Sequence, residues 1–135
     1  MHVYLGSICV VLGAAISFSF GMWNESLTFL LVVMAVDYIS GVAAAMKDGS
    51  GLNSNIGFWG LFKKGLMLLI VMIAHRIDLL FEIELAMGGA ITFYIVNELL
   101  SVMENYGRLG MPFPPRLRRL IQVLRDRVED DTKDE

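Results

Sequence analysis

An all-α integral membrane protein is the fold class this sequence predicts, on three observations. Of its 135 residues, 56% are hydrophobic and the mean hydropathy is +0.60, above the roughly 45–50% apolar share of soluble domains. A soluble fold of this length keeps too much surface in water to hide that much hydrocarbon. The apolar residues fall into four runs, each near the ~20 residues that a helix rising ~1.5 Å per residue needs to cross a bilayer. The basic residues are lopsided: positions 107–135 hold seven of the eleven Lys and Arg and six of the fourteen acids.

The first run, residues 3–22 (VYLGSICVVLGAAISFSFGM), carries no charge. No basic stretch precedes it and MWNES is a poor cleavage site, so an uncleaved span is favoured over a secretory signal. The link WNES bears only Glu25 before the second run, residues 27–46; so short a link predicts an antiparallel hairpin. Residues 47–64, rich in Gly, Ser and Asn, predict a loop and then an aromatic interfacial piece, Phe58, Trp59 and Phe62. The third span, about 61–81, reaches full length only by including IAHRID, and the fourth covers about 85–105. The result is a transmembrane domain over 1–106 and a polar segment over 107–135.

Four spans place Lys47, Lys63 and Lys64 on the same side as the Arg-rich tail, while the links WNES and EIE carry no Lys or Arg. The positive-inside rule then puts both termini in the cytoplasm. Three spans would separate the two basic segments, so that count ranks second.

Ionisable groups inside spans cost about 2.5–3.5 kcal/mol each on insertion scales, so their positions mark candidate sites. Asp37 shares a helical stripe with Gly41 and Ala44 or Ala45, small residues that allow close helix approach. Asn97, Ser101 and Glu104 follow i, i+4, i+7, with Glu98 and Asn105 flanking that stripe. His75, Arg76 and Asp78 interrupt the third run; Arg76 is expected to pair with Asp37 or to turn outward to Glu82 and Glu84. His75 reads as an interfacial, hydrogen-bonded histidine, since no second His or Cys lies at ligand spacing. Gly13, Ser17 and Gly21 repeat small-xxx-small, a face for packing within the chain or between chains. The lone Cys9 offers neither a disulfide nor a zinc site. No phosphate loop, nucleophilic triad or zinc-protease helix is present, so no catalytic, cofactor or metal site is expected.

Three prolines, Pro112, Pro114 and Pro115, end the fourth helix. Beyond them Leu117, Leu120, Ile121, Leu124 and Val128 form an apolar stripe flanked by Arg116, Arg118, Arg119, Arg125 and Arg127, a basic amphipathic helix. It suits an anionic membrane surface, with self-association close behind. Nucleic acid is disfavoured, because the acidic end EDDTKDE repels phosphate.

Four segments, VDYISG (36–41), FWGLFKKGLMLLIVMIAHRID (58–78), ITFYIVNELLSVMEN (91–105) and GMPFPPRL (110–117), together resemble the toxin-secretion/phage-lysis holin family of phages and prophages of Gram-positive bacteria. The resemblance spans residues 30–120. It implies a non-enzymatic protein of the bacterial cytoplasmic membrane that assembles into large homo-oligomeric lesions through which a cell-wall hydrolase or toxin leaves. Asp37, Lys63, Lys64, Asp78, Asn97, Glu98, Glu104, Asn105, Gly110 and Pro112 fall on family-like positions. Two competing classes remain. A small four-helix proton-coupled transporter would also carry intramembrane carboxylates, and a membrane anchor would use the tail to recruit a cytoplasmic partner.

Overall fold

The computed structural model describes residues 1–51 and 53–134. Five helices account for most of them: α1 (His2–Phe20), α2 (Glu25–Lys47), α3 (Ser54–Phe81), α4 (Ala86–Arg108) and α5 (Pro115–Lys133). The first four are long and apolar enough to cross a membrane. Helix is the form an apolar segment takes in lipid, because its backbone polar groups must then be satisfied internally.

Side chains define several of the boundaries. Asn24 caps α2 by accepting a hydrogen bond from the Leu27 amide at 2.9 Å, the usual N-cap use of a short polar side chain. Asn53 accepts from the Asn55 amide at the start of α3. Helix α4 has no cap from its own first residues. Its exposed amides are met by Asp78 of α3, whose carboxylate accepts from Leu85, Ala86 and Met87 at 3.2, 2.8 and 2.9 Å. Pro115 sits in the first turn of α5, where its missing N–H costs nothing.

Residues 48–51 remain a loop, as expected, but helix α3 begins at Ser54, seven residues before the expected start of the third span, and takes in the interfacial piece. Its glycines serve packing rather than a turn. A Cβ on Gly57 would lie 3.4 Å from the Tyr38 hydroxyl, and one on Gly60 would lie 3.9 Å from the Tyr38 ring. Tyr38 therefore lies against a shallow groove on α3.

Helices α2 and α4 make the most extensive contact, and α4 also packs on α3. A core of Leu27, Leu30, Met34, Val71, Ala74, Met87 and Ile91 joins all three at the end nearest the α3–α4 link. If that core lies in lipid, close packing rather than escape from water holds it together, because lipid tails are as apolar as leucine. Helix α1 stands apart. It buries no residue and touches only α3, where Arg76 donates to the Phe18 carbonyl and lies 3.6 Å from the Phe18 ring centroid. Gly21, at φ +70°, leaves room for His75; a Cβ there would come 2.7 Å from the imidazole.

Helix α5 folds back on α4. Ile121 is 1% exposed and Leu124 and Val128 are half-buried. The middle of the apolar stripe thus faces the protein, which leaves less of it free than the sequence suggested.

Candidate ion-cluster site

The charged residues of α2, α3 and α4 meet at one level. Asp37 lies ten residues before the end of α2, Lys64 ten after the start of α3 and Glu98 ten before the end of α4. At ~1.5 Å per residue each sits ~15 Å inside the same end of the bundle. The Lys64 ammonium donates to Asp37 at 2.7 Å and also to Glu98. Glu98 is buried, at 5% exposure, and Lys64 and Asp37 are partly buried, at 12% and 13%. Asn105 donates to the Asp37 carboxylate at 3.0 Å, to the Asp37 carbonyl at 3.1 Å and towards the Ser40 hydroxyl at 3.1 Å. Gly41 makes space for that amide, a Cβ there lying 3.4 Å from the Asn105 Nδ2 atom. Among the described residues no buried side-chain nitrogen or oxygen lacks a partner, as buried polar networks require.

Next to the cluster opens a cavity of about 380 Å³, bounded by Tyr38, Ile56, Met67 and Ser101 and reaching the 48–51 loop. Lys63 lines it and is exposed, without an ion pair to either carboxylate. At that loop Arg108 holds Asp48 through two bonds, 2.7 and 3.1 Å. The Ser50 hydroxyl, first, and the Arg108 guanidinium, second, lower the Asp48 carboxyl to about 2. Beside them Lys47 donates to the Leu109 carbonyl. Gly110, at φ +72°, keeps clear of that ammonium, 3.1 Å from where a Cβ would stand. A two-point clasp thus closes α2 on α4.

Of the candidates read from the sequence, Asp37 and Glu98 stand in the cluster and Ser101 lines the cavity beside it. Asp37 pairs with Lys64, not Arg76; Arg76 reaches α1 instead, and it forms no ion pair with Glu82 or Glu84. The inward polar stripe of α4 is Glu98 and Asn105, both buried, with Ser101 half-buried between them, whereas Asn97 and Glu104 are exposed. That is a one-residue rotation from the expected stripe, because Lys64 and Asp37 approach α4 on its Glu98 side. Asp78 caps α4, and His75 packs on Gly21, so this segment joins helices. Ala45 lines the cavity while its neighbour Ala44 is fully buried. Gly13 and Ser17 are exposed with nothing packed on Gly13, while Gly21, the third residue of that stripe, is met by His75. Lys64 stood in the sequence reading only as a family-like position and not as a partner of the carboxylates, because a lysine beside aromatics reads as interfacial. Among the described residues no group of three or more His, Cys, Asp or Glu is arranged to hold a metal.

The bacteriophage holin family profile matches residues 14–126. An uncharacterized protein of Halalkalibacterium halodurans is 40% identical over 131 residues, covering 93% of this chain and 96% of its own. One from Clostridium perfringens is 37% identical over 120 residues, 87% and 90% of the two chains. A probable holin of Bacillus phage phi105 is 32% identical over 110 residues, 81% and 79% of the two. No solved structure matches. This chain belongs to the bacteriophage holin family.

Proposed function

We propose that this chain is a working holin. It accumulates in the cytoplasmic membrane of a bacterium with both termini inside, then oligomerises into large pores that release a cell-wall hydrolase or a toxin, and it has no catalytic role. The observation that carries this reading is the ion cluster, three charges at one depth in a family of holins. In the single chain Asp37, Lys64 and Glu98 satisfy one another; in a ring of copies the same faces would line water, which removes the cost of holding charge away from it. Assembly of many copies depends steeply on surface concentration, supplying a delay and then abrupt opening.

Orientation is supported by charge. Helix α3 takes Lys63 and Lys64 out of the loop, so the cytoplasmic assignment rests on Lys47 together with Arg108 and the arginines of α5, against opposite links that hold Glu25, Glu82 and Glu84 and no base. The test is induced expression in cells holding a cytoplasmic reporter hydrolase. Abrupt lysis with hydrolase release is expected; intact cells at full membrane accumulation would sink the proposal.

A further inference from the structure

Ile121, packed on α4, fixes the roll of α5 about its own axis. With 3.6 residues per turn, Arg116, Arg119, Leu120, Val123 and Arg127 form one edge on the side away from Ile121. All five are exposed, Leu120 at 54% and Val123 at 50%. The three arginines form no ion pair with any described residue, whereas Arg125, on the opposite flank with Arg118, holds Glu129 at 2.7 Å. Asp126 borders the edge and Asp130 closes it, so its acidic content is confined to its margin and its far end. The helix starts seven residues after α4 ends, within reach of the headgroup layer at the end of a span.

We infer that this edge binds the headgroups of anionic lipids. Arg116, Arg119 and Arg127 take phosphate oxygens, for which the planar guanidinium is suited, and Leu120 and Val123 enter the acyl boundary. A second copy fits less well. A twofold pairing of the same edge about Val123 sets Arg119 beside Arg127 of the other copy, offset only by Arg116 beside Asp130. This inference is separate from pore formation: a chain that lyses cells on time but never docks α5 keeps the proposed function and loses this one.

The test is a spin label on Val123→Cys in the full chain, with Cys9→Ser, reconstituted in phosphatidylcholine alone or with a third phosphatidylglycerol. Immersion of the label is expected only with the anionic lipid. At about a fivefold effect per basic residue near such a surface, Arg116→Gln/Arg119→Gln/Arg127→Gln lowers the docked-to-free ratio on the order of 100-fold. Arg118→Gln/Arg125→Gln leaves it within a few-fold. Three results overturn the inference: a label exposed in both lipids, equal loss in both variant sets, or spin–spin broadening that vanishes on dilution with unlabelled protein, which assigns the edge to a second copy.

Discussion

Lys64→Met is the sharpest test of the ion cluster, because one ammonium serves two carboxylates. Across 2.7 Å, at an effective dielectric of ~20, the gross attraction between Lys64 and Asp37 is about 6 kcal/mol. The net effect is smaller, since desolvation opposes it. Removing one partner of a buried pair typically costs about 3–5 kcal/mol, about a fifth or more of a stability of roughly 5–15 kcal/mol. Glu98→Gln differs in kind. It leaves Lys64 and Asp37 as a neutral pair still held by Asn105, so its expected cost is under about 1.5 kcal/mol, that of one ordinary hydrogen bond. Asp37→Asn falls between, because its amide cannot accept from both Lys64 and Asn105 without one donor facing another; a bond to a charged group is worth about 1.5–3 kcal/mol. The triple variant Asp37→Asn/Lys64→Met/Glu98→Gln removes all three charges and is expected to recover most of the loss. Unfolding of the purified chains in mixed micelles, followed by circular dichroism, reads the order. A Lys64→Met chain as stable as Glu98→Gln, or a triple variant no better than Lys64→Met, would refute the reasoning.

The other expectations concern the ends of the bundle. Gly21→Ala places a methyl group 2.7 Å from His75 at a backbone geometry (φ +70°, ψ −146°) suited to glycine; a cost of about 1–3 kcal/mol is expected in the same unfolding assay. Ile121→Ala should cost about 2–4 kcal/mol in the docking of α5, read as faster proteolysis of the tail without loss of the membrane helices. The Asp48 carboxyl, lowered from 3.8 to about 2, contributes stability above its ordinary value, and this is lost as pH falls through about 2. Carbon NMR should place its midpoint near 2, and Ser50→Ala and Arg108→Gln should each move it up. On cells, Asp37→Asn and Glu98→Gln should shift lysis timing more than apolar swaps at equal depth; unchanged timing in both would remove the cluster from the opening step.

The features legible in the sequence were those set by one helix at a time. Four apolar runs, the proline break before α5 and the arginine-flanked leucine stripe each follow from local spacing. Relations between helices were not. Asn97 and Glu98 are neighbours in sequence about 100° apart around the helix, and which of them turns inward depends on where Lys64 stands, a fact held in another helix. The start of α3 was hidden because Gly57 and Gly60 look like loop residues until Tyr38 is placed against them. Asp78 read as an intramembrane charge because its role, capping α4, lies across a turn, on amides seven to nine residues away. Arg76 was sought beside carboxylates, yet the free carbonyl at the end of α1 and the Phe18 ring satisfy it.

The spans form two pairs, α2 with α4 and α1 with α3, joined through an α3–α4 contact that is broader than the one between α1 and α3. Helices α2 and α4 are joined along their length, through Asn105 on Asp37 in the middle and the Arg108–Asp48 and Lys47–Leu109 clasp at the loop end. Helix α3 carries α1 with it through Arg76, Phe18, His75 and Gly21, while its contact with α2 is slight. Lys64 is the ion-pairing link between these pairs among the described residues, and its ammonium holds one carboxylate from each helix of the other pair. Under the pore reading, hydrating the cluster therefore does not require dismantling the chain. Moving α1 and α3 away from α2 and α4 breaks the α3–α4 packing and the Asp78 cap, exposes all three charges together, since they lie at one depth, and leaves the clasp and the α2–α4 contact intact. The cavity beside Lys64 already reaches the loop, so water has its shortest route to the cluster from that end. A lysine that closes the bundle by bridging two carboxylates is then also the residue whose charge makes the separated state wettable, which is why neutralising Lys64 alone should impair both states while neutralising all three should spare the folded one.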